Sequence, residues 1–112
     1  MDFAERAARN ESVFRNVNEH IERGAEMHSI ETPECFHCEC DQEGCFEQVM
    51  MRPDEYRAVL ERRYCFVLVP GHADARVERV AEQRDEYWIV EKIGEAREAL
   101  DRQHPQQQHA SE

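Results

Sequence analysis

One segment, residues 35–45, constrains this chain more than any other, because it holds four of the five cysteines together with a histidine. Thiols at this density form a disulfide framework, a redox pair or a metal site. An odd number of cysteines does not close a disulfide framework, and the opening MDFAER carries charges where an export signal needs an apolar run. We therefore expect a cytoplasmic protein whose thiols stay reduced and bind a metal ion.

The spacing of the cysteines predicts which of them share the ion. Cys38 and Cys40 are two residues apart, so on an extended chain their sulfurs point to the same face. The glycine-containing turn at residues 41–44 can bring Cys45 back to that face. Zinc usually takes four cysteine and histidine ligands, so these three sulfurs predict one zinc ion per chain and need a fourth partner.

Three residues are candidates for the fourth ligand. His37 is the weaker choice, because it alternates to the face opposite Cys38 and Cys40. His72 follows a Pro-Gly turn at the end of a predicted strand, where a side chain can be aimed at the neighbouring hairpin. A ligand so distant in sequence also closes a long loop, which gives metal binding a larger part in folding. Cys35 is the alternative, because Cys35-x-x-Cys38 is itself a metal-binding spacing. We favour His72, so the predicted metal ligands are Cys38, Cys40, Cys45 and His72.

The remaining pattern predicts a single zinc-binding α+β domain over residues 1–102, followed by a disordered polar tail at residues 103–112. Apolar residues at helical spacing predict a long N-terminal helix at residues 3–23, a central helix opened by Pro53 and a C-terminal helix. Apolar runs predict a metal-stabilised hairpin and a small, mostly antiparallel sheet, with strands at residues 46–51, 64–69, 77–83 and 87–92. No apolar run is long enough to cross a membrane.

The N-terminal helix, which we expect to end at Gly24, carries one stripe of mostly apolar residues: Phe3, Ala7, Asn10, Phe14, Val17 and Ile21. The stripe predicts that this face packs on the protein's own core. The alternative is that the stripe contacts a second helix, from a partner protein or from a second copy of the chain in a homodimer. In either case the helix has to dock on something, because three heptads are marginal for a free coiled coil. If the stripe packs internally, Tyr87 and Trp88 are the next candidates for contact with a partner.

The charge balance narrows the choice of partner. The chain carries 25 acidic and 14 basic side chains, a net charge of -11, and most basic residues have acidic neighbours. A nucleic-acid binder needs clustered lysine and arginine, so direct binding to nucleic acid is not expected, whereas a basic protein partner fits the sign of the charge. We interpret the acidic residues as a solvated surface, and Glu91 with Lys92 as an ordinary edge pair.

Four motifs carry a resemblance to a known family: RNESVFR at residues 9–15, CEC at residues 38–40 with the following Cys45, PGH at residues 70–72, and YWIVEK at residues 87–92. They resemble a family of small, functionally uncharacterised bacterial proteins found mainly in high-GC genomes. The resemblance covers about residues 5–96. It implies no enzymatic activity and no substrate, and it favours His72 over Cys35 within the metal set.

These features together predict a structural zinc site in a protein that binds another protein as an accessory or regulatory module. No catalytic residue is assigned. An enzyme remains an alternative, with zinc held by three cysteines and one position open to water. A thiol redox sensor is a second alternative, in which Cys35 and Cys38 would form the reactive pair. Iron in place of zinc is also open, although an iron–sulfur cluster would use four cysteines.

Overall fold

The computed structural model describes residues 3–42 and 44–103 and confirms the α+β class. In chain order the elements are α1 (Phe3–Met27), β1 (Glu34–His37), β2 (Gln48–Met51), α2 (Pro53–Leu60), β3 (Cys65–Leu68), β4 (Glu78–Gln83), β5 (Trp88–Lys92) and α3 (Glu95–Gln103). The predicted tail, apart from Gln103 at the end of α3, lies outside the described residues. No helix among the described residues is long and apolar enough to cross a membrane.

The strands form two antiparallel sheets. β1 and β2 make a hairpin in which Phe36 lies opposite Val49, and the three predicted cysteine ligands follow β1 in the loop that joins the two strands. The second sheet has the strand order β3-β5-β4, so β5 is its central strand. A β-bulge between Val80 and Glu82 shifts the pairing of β4 with β5. The bulge explains why the sequence of β4 shows no single alternating face.

Two small clusters of apolar side chains cover the two faces of the three-stranded sheet. Successive residues of β3 point to opposite faces. Cys65 and Val67 therefore pack against the β1–β2 hairpin and α2, while Phe66 and Leu68 pack against α3 and the three predicted cysteine ligands. Cys65 is a core residue, as the sequence predicts, and the loop between β1 and β2 forms one wall of the other cluster.

Helix α1 ends at Met27, so the predicted end at Gly24 is wrong. Ser29 follows the helix with a positive φ of 55°, and the N–H of Ile30 donates to the carbonyl oxygen of Ala25 at 2.8 Å. This is a Schellman motif, with serine in the left-handed position that glycine usually fills. A glycine inside a helix costs only about 1 kcal/mol relative to alanine, so Gly24 does not stop the helix.

The buried side chains in the described part of α1 are mostly polar, and over that part they correct the predicted stripe. They are Glu11, Asn18, Glu22 and Ala25. Val17 is 47% exposed and Val13 is 56% exposed, while Phe14 and Ile21 are only half-buried. The side chains of the other predicted stripe members, Phe3, Ala7 and Asn10, lie outside the described part of the chain. The stripe rule assumes docking by apolar contact, whereas the described part of α1 docks largely through hydrogen bonds and ion pairs.

Lys92 is fully buried, so its interpretation as part of a surface edge pair is wrong. It lies in the central strand β5, and its ammonium group forms ion pairs with both Glu11 of α1 and Glu78 of β4. Its sequence neighbour Glu91 pairs instead with Arg79. Burial by itself would lower the pKa of Lys92, but the two carboxylates raise it above the ordinary lysine value. Burial raises the pKa of Glu11 well above the ordinary value, despite the opposing effect of Lys92.

We expect Lys92→Met to destabilise the protein by about 3 to 5 kcal/mol at neutral pH, because two buried carboxyl groups lose their counter-charge. Urea unfolding measures the free-energy change. Arg84→Ala, which removes the exposed pair with Glu82, is the matched control and should change stability far less. A buried glutamate with a raised pKa stabilises the fold below its ordinary pKa, and this contribution is lost as pH rises through the folded value. The loss of stability caused by Lys92→Met should therefore become smaller on acidification. Equal losses of stability in the two variants at neutral pH would contradict the buried ion pairs of Lys92 with Glu11 and Glu78.

Candidate metal centre

The elements around the hairpin loop bring the predicted ligands together. Cys38 directly follows β1, where its N–H donates to the carbonyl oxygen of Glu47 at 2.9 Å and extends the hairpin by one bond. The next N–H, that of Glu39, donates to the carbonyl oxygen of Val67 in β3 at 2.8 Å, so the loop is attached to the second sheet. His72 lies in the turn after β3. The N–H of His72 closes this turn by donating to the carbonyl oxygen of Val69 at 3.0 Å.

The four predicted ligands form one cluster. One donor atom from each of Cys38, Cys40, Cys45 and His72 lies within 4.8 Å of all the others. The Nδ1 atom of His72 is 3.6 Å from the sulfur of Cys38 and 3.8 Å from that of Cys45. A tetrahedral zinc, at about 2.3 Å from sulfur and about 2.0 Å from nitrogen, separates its donor atoms by about 3.5 to 3.8 Å. The cluster can therefore hold a metal ion of that size with little rearrangement.

Each of the three sulfurs accepts a hydrogen bond from a backbone N–H. The donor to Cys38 is the N–H of Val69, at 3.2 Å. The backbone N–H of Gln42 donates to the sulfur of Cys40, and that of Glu47 donates to the sulfur of Cys45. Each of the three bonds acts to lower the pKa of the thiol that accepts it. A hydrogen bond to sulfur favours the thiolate, which is the form that coordinates a metal ion.

The three thiols cannot all lose their protons without a cation. The hydrogen bond from the thiol of Cys38 is the largest cause that lowers the pKa of Cys40, to about 5. The same contact, together with burial, raises the pKa of Cys38 strongly, and burial raises that of Cys45. The contacts among the three sulfurs therefore favour the thiolate of Cys40 and disfavour a thiolate at Cys38 or Cys45. A bound dication removes the repulsion between thiolates and deprotonates the remaining thiols, so the cluster is electrostatically suited to a metal.

His72 is oriented from its far side by a carboxylate. Its Nε2 atom lies 3.1 Å from a carboxylate oxygen of Glu47, which is the last residue of the loop between β1 and β2. Donation of Nε2–H to this oxygen leaves the lone pair of Nδ1 directed at the sulfur atoms. Metal-binding histidines usually have such a partner, which fixes the tautomer and the orientation of the ring.

The other candidate residues lie away from the cluster. Cys35 is exposed on β1, where its thiol contacts the sulfur of Met50 at 3.1 Å, so the structure does not bring the alternative fourth ligand to the site. His37 points to the side of α1 and stacks on Phe14, with ring centroids 4.1 Å apart. The structure thus brings together all four predicted ligands and leaves out Cys35, while their binding of a metal remains a prediction.

Glu39 is a functional residue that the sequence pattern does not indicate; it lies between two predicted ligands and is completely buried. Its carboxylate accepts hydrogen bonds from the amide of Asn18, the hydroxyl of Tyr56 and the backbone N–H of Val67. Burial, followed by the charge of Glu39, raises the pKa of Tyr56 far above the ordinary tyrosine value, so the hydroxyl stays a donor. No spacing rule distinguishes Glu39 from the acidic surface residues, because its partners come from three separate elements.

A polar cavity of about 400 Å³ lies beside the cluster, lined by Asp41, Gln42, Ala73, Asp74, Ala75 and Arg76. Burial, then a hydrogen bond with Asp74, raises the pKa of Asp41 to about 7. The guanidinium of Arg76, which binds both carboxylate oxygens of Asp74, holds the pKa of Asp74 far below its usual range. The two carboxyl groups therefore share a proton near neutral pH, and Asp74 carries the charge.

Comparison of this chain with protein-family models, with curated proteins and with solved structures finds no match. The resemblance to a family of bacterial proteins therefore remains a prediction.

We expect Glu47→Ala to weaken zinc binding by about tenfold, because His72 loses the carboxylate that orients its ring. Competition with a chromophoric chelator measures the dissociation constant. The matched control is Gln48→Ala, an exposed neighbour in the same stretch of chain, which should leave the constant unchanged. Equal constants for the two variants would show that Glu47 does not support the histidine.

Proposed function

We propose that the protein is a small zinc-binding module in which one structural zinc ion is held by Cys38, Cys40, Cys45 and His72. The convergence of these four donor atoms carries the proposal. Three cysteine sulfurs and one imidazole nitrogen are a ligand set that zinc prefers, and here these donor atoms lie within 4.8 Å of one another. An iron–sulfur cluster normally takes four cysteines. Four protein ligands fill the coordination sphere of zinc, so this site offers no position for a reacting water molecule.

The zinc ion would join two distant parts of the chain. Cys38 and His72 are 34 residues apart, and the ion would fix the hairpin loop to the turn that follows β3. A chain of 112 residues buries a limited apolar core, so a metal that closes a long loop contributes substantially to folding. The proposed role of the ion is therefore to hold this loop in one conformation.

The ordered loop supports a role in binding another protein. Phe46 follows Cys45 directly and is 80% exposed, although it is a large apolar side chain. It meets the edge of the His37 ring at a centroid distance of 6.4 Å, and that ring stacks on Phe14 of α1. We name Phe14, His37 and Phe46 the aromatic patch. Exposed aromatic side chains on rigid backbone are the residues that most often anchor protein interfaces.

Charge and burial define the partner further. Most of the described arginines form ion pairs with carboxylates, and the net charge is -11, so a basic protein surface suits this molecule better than nucleic acid. Tyr87, an expected alternative contact, is buried and its hydroxyl donates to Glu55. Trp88 is half-buried, which leaves the aromatic patch and the exposed Val17 as the favoured contact surface. Such an interaction module would work in the cytoplasm, where its thiols stay reduced.

Native mass spectrometry and elemental analysis of protein purified without chelator should find one zinc ion per chain. Cys40→Ser and His72→Ala should lose the metal, because each removes a ligand, and should lose part of the native circular dichroism as the loop between β1 and β2 is released. Cys35→Ser is the matched control and should keep both, since Cys35 lies outside the cluster. Iron, or no metal in the wild type, would overturn the proposal. A folded His72→Ala variant that still holds one zinc would instead support the enzyme with an open metal position.

Phe46→Ser should weaken binding to a protein partner about 30-fold, because loss of an interface anchor typically costs about 2 kcal/mol. The measurement is affinity capture with quantitative mass spectrometry, followed by titration of the purified partner. Met27→Ser is the matched control: Met27 is 81% exposed and lies thirteen residues from Phe14, which is about 20 Å along the helix. Partners captured equally by both variants would exclude the aromatic patch as the contact surface.

A further inference from the structure

Glu39 connects the loop between β1 and β2, which we name the metal loop, to three other elements of the fold. It stands between the ligands Cys38 and Cys40, and the ligand geometry therefore sets the position of its backbone. Its side chain is fully buried and binds Asn18 of α1 at 3.0 Å, the hydroxyl of Tyr56 in α2 and the N–H of Val67 in β3. A movement of the loop would leave all these buried groups without their acceptor.

Helix α1 holds the same short segment at further points. The side chain of Asn18 accepts from the N–H of His37 at 2.7 Å and donates to its carbonyl oxygen at 2.8 Å, as a neighbouring strand would. Phe14 stacks on the ring of His37, and the guanidinium of Arg15 lies 3.7 Å from the carboxylate of Glu39. Three residues of α1 therefore contact His37 and Glu39, the two residues that flank the predicted ligand Cys38.

The polar character of this contact makes it sensitive to the position of the loop. Among the α1 side chains that the structure describes, Glu11, Asn18, Glu22 and Ala25 are buried, and three of these four are polar. Over this part of the helix, hydrogen bonds and ion pairs therefore contribute much of the contact with the rest of the protein. Buried polar groups that lose a partner cost about 1 to 3 kcal/mol each, so α1 docks well only when the loop presents Glu39 and His37 correctly.

We propose that metal binding and the docking of α1 are coupled through Glu39 and His37, so that the metal controls whether the helix is seated. The inference rests on the proposed function, because it takes the zinc ion as the ligand that orders the loop. Its consequence for binding is direct. The aromatic patch consists of one residue from α1, Phe14, and two from the loop region, His37 and Phe46. Release of α1 separates these residues, and the patch exists only in the metal-bound protein.

Coupling of this kind is reciprocal: if zinc favours the docked helix, then the docked helix favours zinc by the same factor. A substitution on α1 that touches no ligand must then lower the affinity for zinc. Asn18→Ala removes the bonds to His37 and Glu39 and leaves every ligand in place. We expect it to weaken zinc binding by about tenfold or more, in the range found for groups that support metal ligands indirectly.

The experiment titrates zinc into the full-length wild type, Asn18→Ala and Val13→Ala in competition with a chromophoric chelator. Val13 is 56% exposed on the opposite side of the same helix, so its variant is the matched control and should bind as the wild type does. Hydrogen exchange of the wild type with zinc and with chelator supplies a second measurement that needs no substitution. Removal of zinc should speed exchange in residues 11–22 and in the hairpin more than in the β3-β5-β4 sheet.

The outcomes separate this inference from the function on which it rests. Unchanged zinc affinity in Asn18→Ala, or unchanged exchange of α1 after zinc removal, would overturn the coupling and leave the zinc site intact. Uniformly fast exchange over the whole chain after zinc removal would also overturn the coupling, because the metal would then stabilise the entire fold and not the docking of α1 in particular. A wild-type protein that binds no zinc would overturn the proposed function itself.

Discussion

The buried carboxylate of Glu39 is the interaction on which the rest of the structure depends. It is the only point among the described contacts at which α1, α2, β3 and the predicted metal loop meet through one side chain. A carboxylate without access to water is costly unless its oxygens are well hydrogen-bonded, and here three donors and a nearby guanidinium provide that. The elements are therefore held in one relative arrangement, since a shift of any of them leaves a buried charge less well compensated.

The second buried cluster, formed by Glu11, Lys92 and Glu78, has a related effect at another part of α1. Together the two clusters place charged and polar groups where most small domains place apolar ones. Such groups add less to net stability than an apolar core of equal volume, but they fix the position and orientation of the helix more strictly. A polar interface of this kind loses stability when one partner moves, whereas an apolar interface tolerates small shifts. In the proposed coupling, this difference makes the position of α1 sensitive to the loop between β1 and β2.

The sequence predicts the parts of this molecule that depend on neighbouring residues. The alternation of Cys38 and Cys40, the turn before Cys45 and the proline that opens α2 are local features, and the structure has them. The prediction failed where the deciding partner is remote. Lys92 and Glu39 carry charges that composition assigns to the surface, and only the tertiary fold brings their partners to them. The exposed Val17 shows the same limit, because the apolar stripe of α1 does not mark its docking face when that face is polar.

The location of the cysteine cluster connects the predicted metal site with the buried polar network. The sulfurs of Cys38, Cys40 and Cys45 belong to the apolar cluster that contains Phe66, Leu68, Val90, Ala99 and Leu100. A metal bound at this point would complete a wall of that cluster and neutralise the thiolates within it. The side chain of Glu39 leaves the loop in another direction, toward Tyr56 and Asn18. The same loop thus closes one core through its cysteines and seats α1 through the residue between two of them, so the conformation of a few residues determines both.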